Sequence, residues 1–364
     1  MIKIIQEHMA RYPEMEIRDI FKLIYQSEFG GGHMIKDKNA SLEWIKKEYE
    51  FIQDQRSDQT DEEKKWLIRE AVCEEIGDGI VRVYLDALGK GLSPETLNEL
   101  FVLSANEKRG SITRLEAKLD MFLDLCKAGE IPFEEQEVRR KIEAWKEAGY
   151  SAMHHSEAFR QHYFPAYRIV LKKYAERLNV FAGIDRCMRE KTETRPVVVA
   201  IEGGAGSGKS VLGGIIKEVY HCNLFHMDDF FLQMHQRTPE RFAEPGGNVD
   251  YERFKIEVLD QLDHPDGLWY QKYDCGTQSL KEKEFVSYDR LVVIEGAYSL
   301  HPHFEDRADL AFFLEIPDEV QLERIRNRNG EWMLKRFVKE WIPMERTYFE
   351  EFKIREKEYC QVIK

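Results

Sequence analysis

The sequence predicts an α/β domain, a parallel sheet with helices on both faces, preceded by an all-α domain. Three observations carry this reading. Beyond Pro196, apolar β-branched runs alternate with helical patterns. A glycine-rich loop joins the first such run to the first such helix. Residues 1 to about 180 show helical spacing almost throughout, without β-branched alternation.

In chain order, Ile17, Ile20, Phe21, Ile24 and Tyr25 fall on one helical face. So do Leu115, Leu119, Phe122 and Leu123, widened by Leu125 and Cys126. Ser93-Pro94-Glu95 reads as a helix start, with serine as cap and proline in the first turn. Residues 185–196 are charged, lack an apolar face and end in proline, so 184–196 is read as a linker between domains 1–183 and 197–364. In the second domain, strands are expected at 197–202, 222–226, 268–274, 290–295 and 309–315. Helices are expected at 208–220, 251–263, 317–328 and 331–354, the last broken at Pro343. Ligands of such a sheet belong at the carboxyl ends of the strands.

A chain of 364 residues suggests two domains, and 43% apolar with 33% charged residues allows a core in each. A net charge of −13 argues against nucleic acid or an anionic membrane as partner, since both need a basic face. The six cysteines are scattered without a C-x-x-C pair, as expected of reduced thiols in a cytoplasmic protein. No run reads as a signal peptide or a bilayer span.

Residues Gly203, Gly204, Ala205, Gly206, Ser207, Gly208, Lys209 and Ser210 match G-x-x-x-x-G-K-[ST] in full. Together with Val211 they are the expected ATP-binding stretch. Glycines let backbone N–H groups wrap a phosphate, and the following helix adds its positive end. Lys209 is expected to reach the β- and γ-phosphates and Ser210 to hold Mg²⁺. Leu224-Phe-His-Met-Asp228-Asp229 ends an apolar strand in two carboxylates, the place for a general base on an attacking hydroxyl. Leu291–Ile294 ends in Glu295, a second carboxylate suited to the Mg²⁺ site; Ser210, Asp228 and Glu295 are the expected metal residues. Arg324, Arg326 and Arg328 close a predicted helix, and Arg324 and Arg328 are taken as the phosphate-facing pair. Arg237 is a candidate substrate contact in a polar insert.

With these motifs in this order, residues 197–364 resemble the uridine kinase family of P-loop kinases. That family includes nicotinamide riboside kinases, phosphoribulokinases and bacterial pantothenate kinases. The resemblance implies a P-loop kinase domain in which Asp228 is the catalytic base. Asp228-Asp-Phe-Phe231 is especially similar to nicotinamide riboside kinases. Asn248-Val-Asp250 resembles a segment whose aspartate binds ribose hydroxyls, which assigns that role to Asp250. Tyr273-Asp274 resembles the start of the nucleobase loop. Glu295-Gly296 resembles the Mg²⁺-site Glu-Gly, and Arg324–Arg328 the lid. Where uridine kinases carry Ser-His-Ser-Arg, this chain has Thr277-Gln278-Ser279-Leu280. Gln278 remains a candidate substrate contact without charge, and Leu280 removes a cation. The expected function is transfer of the ATP γ-phosphate to a hydroxyl, first the 5′-hydroxyl of uridine or cytidine, next nicotinamide riboside or another metabolite. A reading from a different class is an ATP-gated switch acting through the helical domain. ATP, Mg²⁺ and a small hydroxylated substrate are the expected partners, without nucleic acid or membrane; a homo-oligomer is compatible with the sequence.

The helical half carries two notable stretches. Ser27-Glu-Phe-Gly30-Gly-Gly-His33 puts three glycines after a helix, which suggests a close backbone approach or a turn. His154-His155-Ser156-Glu157, with His162, has metal-binding residue types but no strong metal spacing, and reads better as a polar helix start.

Overall fold

The computed structural model describes residues 1–58, 71–108, 110–191, 195–305 and 307–364; residues 192–194 of the expected linker lie outside them. The chain divides into two compact units, Met1–Ala182 and Gly183–Lys364. The division falls inside a helix, Leu178–Glu190, which continues through the first part of the stretch expected to be a linker.

The first unit is mainly helical, and its core is dense in aromatic residues. Helix Ile17–Phe29 starts with a reciprocal cap between Glu16 and Asp19 and buries Ile17, Ile20, Phe21, Leu23 and Ile24. Phe21 stacks on Trp145 at 5.0 Å and meets Phe122 edge-on. Ser93 caps Pro94–Glu107 by accepting from Thr96 N–H. Helix Ile112–Lys127 buries Leu115, Leu119, Phe122, Leu125 and Cys126, which is the face its spacing predicts.

A small antiparallel sheet, unanticipated from the sequence, completes this unit. It comprises β1 (Cys73–Gly77), β2 (Ile80–Tyr84) and β3 (Tyr167–Leu171), in that order. Each strand has five residues, and β2 is buried on both faces, so no alternation marks it. The readable signal was the turn: Asp78 and Gly79, both at positive φ, join β1 to β2 as Asp-Gly pairs do in tight hairpins.

In the second unit five strands form one parallel sheet. These are β4 (Val197–Gly203), β5 (Asn223–His226), β8 (Leu291–Glu295), β9 (Leu310–Leu314) and β10 (Cys360–Ile363), in the order β10-β9-β4-β8-β5. β4 lies at its centre and is buried along its whole length, the pattern of a strand with both faces covered. The strand expected at 268–274 is present as β6 (Leu268–Asp274). It pairs antiparallel with β7 (Ser279–Val286) in a separate hairpin rather than joining the parallel sheet. β7 and β10 had not been anticipated; β7 is exposed and charged on both faces, which hides strand alternation. After β9 a helix runs Asp318–Arg336 with a break in its dihedrals at Gly330 (φ 78°). One widened turn, Phe337–Trp341, leads into helix Ile342–Glu351, where Pro343 sits in the first turn, a position that needs no N–H.

Candidate active site

The carboxyl ends of β4, β5 and β8 bring the site together. The phosphate loop runs from the end of β4 into helix Lys209–Tyr220. Gly203, Gly206 and Gly208 all have positive φ. At Gly203 the requirement is also steric, since a Cβ there would lie 2.7 Å from the Leu314 carbonyl oxygen. The loop is braced on several sides. Gln321 donates to Ala205 O at 2.8 Å, and Arg324 donates to the carbonyls of Gly206 and Ser207 at 3.3 and 3.2 Å. Lys209 Nζ folds back onto Gly204 O at 2.9 Å.

Ser210 Oγ donates to Glu295 Oε1 at 3.0 Å, and His226 Nδ1 contacts the same oxygen. That contact raises the His226 pKa. Asp228, just past β5, stands on the open side of the site, yet enough protein surrounds its carboxyl for burial to be the first cause of its raised pKa. The Glu295 carboxylate is the second cause, while Lys209, His226 and Arg328 pull the other way. Those pulls put Asp228 in the field of Lys209, Glu295 and Arg328. Its neighbour Asp229 faces Lys272 of β6 instead, and burial raises its pKa too.

Not every expected residue joins this group. Val211 is exposed on the outer side of its helix. Asp250 is buried and occupied within its own element: one oxygen caps Tyr251–Glu257 by accepting from Arg253 N, the other pairs with Arg253 Nε at 3.3 Å. Arg237 and Tyr273 do meet, Arg237 donating to the Tyr273 hydroxyl at 2.9 Å. Gln278 lies in the exposed turn of the β6–β7 hairpin at φ 55°. Arg326 pairs with Glu331 on the surface.

Two carboxylates of the site were missed. Glu345, on helix Ile342–Glu351, accepts the Ala205 N–H at 2.9 Å and is almost fully buried. Burial pushes its pKa up to about 7, against the pull of Lys209. Glu202, inside β4 and fully buried, accepts from the N–H groups of Gly203, Tyr298 and Leu300 and from the Tyr348 hydroxyl. It too is pushed up to about 7 by burial. Glu202 thus fastens the root of the phosphate loop to the segment after β8 and to the helix that carries Glu345. An acidic residue within an otherwise apolar strand was the visible hint for Glu202; Glu345 had none nearby in sequence.

Among the described residues no three His, Cys, Asp or Glu side chains gather into a self-sufficient metal site. The Ser210 hydroxyl and Glu295 carboxylate are hard oxygen donors, of the kind that shares Mg²⁺ with phosphate oxygens.

No family model matches the sequence. Among solved structures, the chain is similar to a possible uridine kinase from Bacillus stearothermophilus at 20% identity, over 50% of this chain and 98% of that one, with a TM-score of 0.37. It is similar to a D-glycerate 3-kinase from Cryptococcus neoformans var. grubii at 15% identity, over 47% and 86%, with a TM-score of 0.34. A gluconokinase from Sinorhizobium meliloti 1021 matches at 18% identity, over 47% and 83%, with a TM-score of 0.25. No helix among the described residues is long and apolar enough to cross a membrane.

Proposed function

We propose that the second unit is an ATP-dependent small-molecule kinase. One observation carries the reading: a phosphate loop, the Ser210–Glu295 pair and the Asp228 carboxylate stand together at the ends of three adjacent parallel strands. Phosphoryl transfer through a loose transition state asks mainly for positioning and charge stabilisation, and these groups supply both. The loop amides and the N-terminal end of helix Lys209–Tyr220 receive phosphate oxygens. Lys209 leaves the Gly204 carbonyl to neutralise the migrating group. Ser210 and Glu295 would hold Mg²⁺, which would add neutralisation of the phosphate charge.

Asp228 orients the acceptor hydroxyl and takes its proton. As the acceptor oxygen bonds to the γ-phosphorus, the bond from phosphorus to the β–γ bridging oxygen breaks, and ADP leaves with that electron pair. Raising the Asp228 pKa makes it a better proton acceptor than a solvated carboxylate. To Arg328, whose charge reaches Asp228, we assign the role of the lid arginine at the transferring group, whereas Arg324 braces the loop through its carbonyls. The acceptor we favour is a nucleoside 5′-hydroxyl, uridine or cytidine first and nicotinamide riboside next. Arg237, steadied by the hydroxyl of the buried Tyr273, offers it a cation.

The test is ADP release with ATP–Mg²⁺ across nucleosides, nicotinamide riboside, pantothenate and sugar acids. One acceptor that raises turnover supports the reading and names the substrate. Equal turnover with every compound and with none favours a nucleotide-gated switch.

A further inference from the structure

Asp228 takes a proton from an acceptor only if its carboxylate stays free for that hydroxyl, so the backbone around it must set its position. Its own strand gives little help. β5 has four residues and lies at the edge of the parallel sheet, with only β8 beside it. The segment that follows, Met227–Phe230, is a single short helical turn.

Arg253, on helix Tyr251–Glu257, reaches that turn. Its side chain is 9% exposed. One nitrogen donates to the carbonyl of Asp229, the residue after Asp228, at 3.1 Å. Another donates to Gln271 O of β6. Asp250 and Glu257, each at 3.3 Å and at the two ends of the same helix, meet its charge. Its guanidinium also lies over the Phe230 ring at 4.2 Å. Phe230 has no exposed surface; it meets Phe254 of the helix edge-on at 4.8 Å and stacks on Tyr270 of β6 at 6.0 Å. Backbone bonds run the same way. Asp250 N–H donates to Phe230 O at 2.7 Å, Phe231 pairs with Val249, and Gln271 N–H donates to Glu257 at 2.9 Å.

Turn, helix and hairpin are thus pinned at one cation. The hairpin carries Tyr273, two residues beyond Gln271, whose hydroxyl steadies Arg237. Lysine cannot fill this place. It has three donors around a point charge, whereas this planar guanidinium serves four acceptors and lies over a ring.

We propose that Arg253 is a positioning residue for phosphoryl transfer, setting Asp228 against the hairpin that receives the acceptor. This rests on the kinase reading of the second unit. Arg253 acts through the backbone of Asp229 and Gln271 rather than on the reacting atoms. A base displaced by about 1 Å costs about 10²-fold in rate.

The test uses the full-length protein with Arg253→Met and Arg253→Lys. Methionine keeps the apolar stem and loses charge and donors; lysine keeps the charge. Acceptor-dependent ADP release is normalised to ATP-binding stoichiometry from calorimetry, so unfolded protein is not counted. Hydrogen exchange is read in peptides covering residues 227–231 and, as a control, β4 and β9. Arg253→Met is expected to lower kcat about 10²-fold with the KM for ATP unchanged. Arg253→Lys is expected to fall between Arg253→Met and the parent. Exchange should rise in 227–231 and not in β4 or β9. Added to Asp228→Asn, Arg253→Met should cost little further, because both changes act on one step. The proposal is overturned if Arg253→Met keeps the parent kcat, if 227–231 exchanges as in the parent, or if the double variant shows two independent losses. Where Arg253→Met loosens β4 and β9 as well, Arg253→Lys decides: the parent kcat there overturns the proposal, and a reduced kcat with β4 and β9 intact supports it. A parent protein idle with every acceptor would overturn the kinase reading and the positioning role with it, and the exchange would still show whether Arg253 holds the turn.

Discussion

Glu345→Gln gives the sharpest physical test of how the phosphate loop is held. Glu345 is buried, and its pKa is raised from 4.5 to about 7, with burial as the first cause. In the unfolded chain the group ionises near its usual value. Between those two pH values the folded state binds a proton that the unfolded state does not, so stability falls as pH rises from 4.5 to 7. The full loss corresponds to about 3 kcal/mol. Glutamine keeps an oxygen for the Ala205 N–H and has no proton to lose. The variant is therefore expected to match the parent near pH 4.5 and to exceed it by up to about 3 kcal/mol at pH 8. The two units need not unfold together, so a single global transition is the wrong readout. Denaturant midpoints read from hydrogen exchange of peptides spanning β4 and β9 isolate the second unit. A stability difference between variant and parent that does not change between pH 5 and pH 8 would refute the reasoning. Glu202, also raised to about 7, adds a parallel pH dependence to both proteins and cancels in the comparison.

Other outcomes follow from single contacts. Gly203→Ala must place its Cβ against the Leu314 carbonyl at φ 143°, and is expected to cost about 1–3 kcal/mol; ATP affinity by calorimetry should fall with it. In the first unit, Glu74→Ala leaves fully buried Arg82 without its carboxylate, and is expected to destabilise that unit by about 3–5 kcal/mol. Urea unfolding followed in peptides of β2 reads this, and a change below about 1 kcal/mol would contradict the buried pair.

What could be read from the sequence divides by distance along the chain. The phosphate loop is contiguous, and its flanking strand and helix are set by neighbours, so Gly203–Ser210 was legible with its surroundings. The strand ends that position Asp228 and Glu295 were legible because each closes an apolar run. Glu345 reaches the loop from about 140 positions away, and only the packing of the last helix brings it there. The same holds for His155 on Asp19: the stretch does start a helix, capped by Ser156, and distant Asp19 also ties His155 into a buried network. At Asp250 the local contacts are a helix cap and a pair with Arg253, three residues on, which its resemblance to a binding segment did not indicate. The first sheet escaped because a strand buried on both faces carries no period-two signal, and because Arg82, in the middle of β2, masks an apolar run.

The most direct test of the central claim is acceptor-dependent ADP release by the intact chain, with Asp228→Asn and Lys209→Ala beside it. The account predicts turnover that rises with one hydroxylated acceptor. Asp228→Asn should lower it about 10²–10⁴-fold with nucleotide binding retained, and Lys209→Ala should abolish it. Asp228→Asn turning over at the parent rate with that acceptor would contradict the proposal that this carboxylate takes the proton.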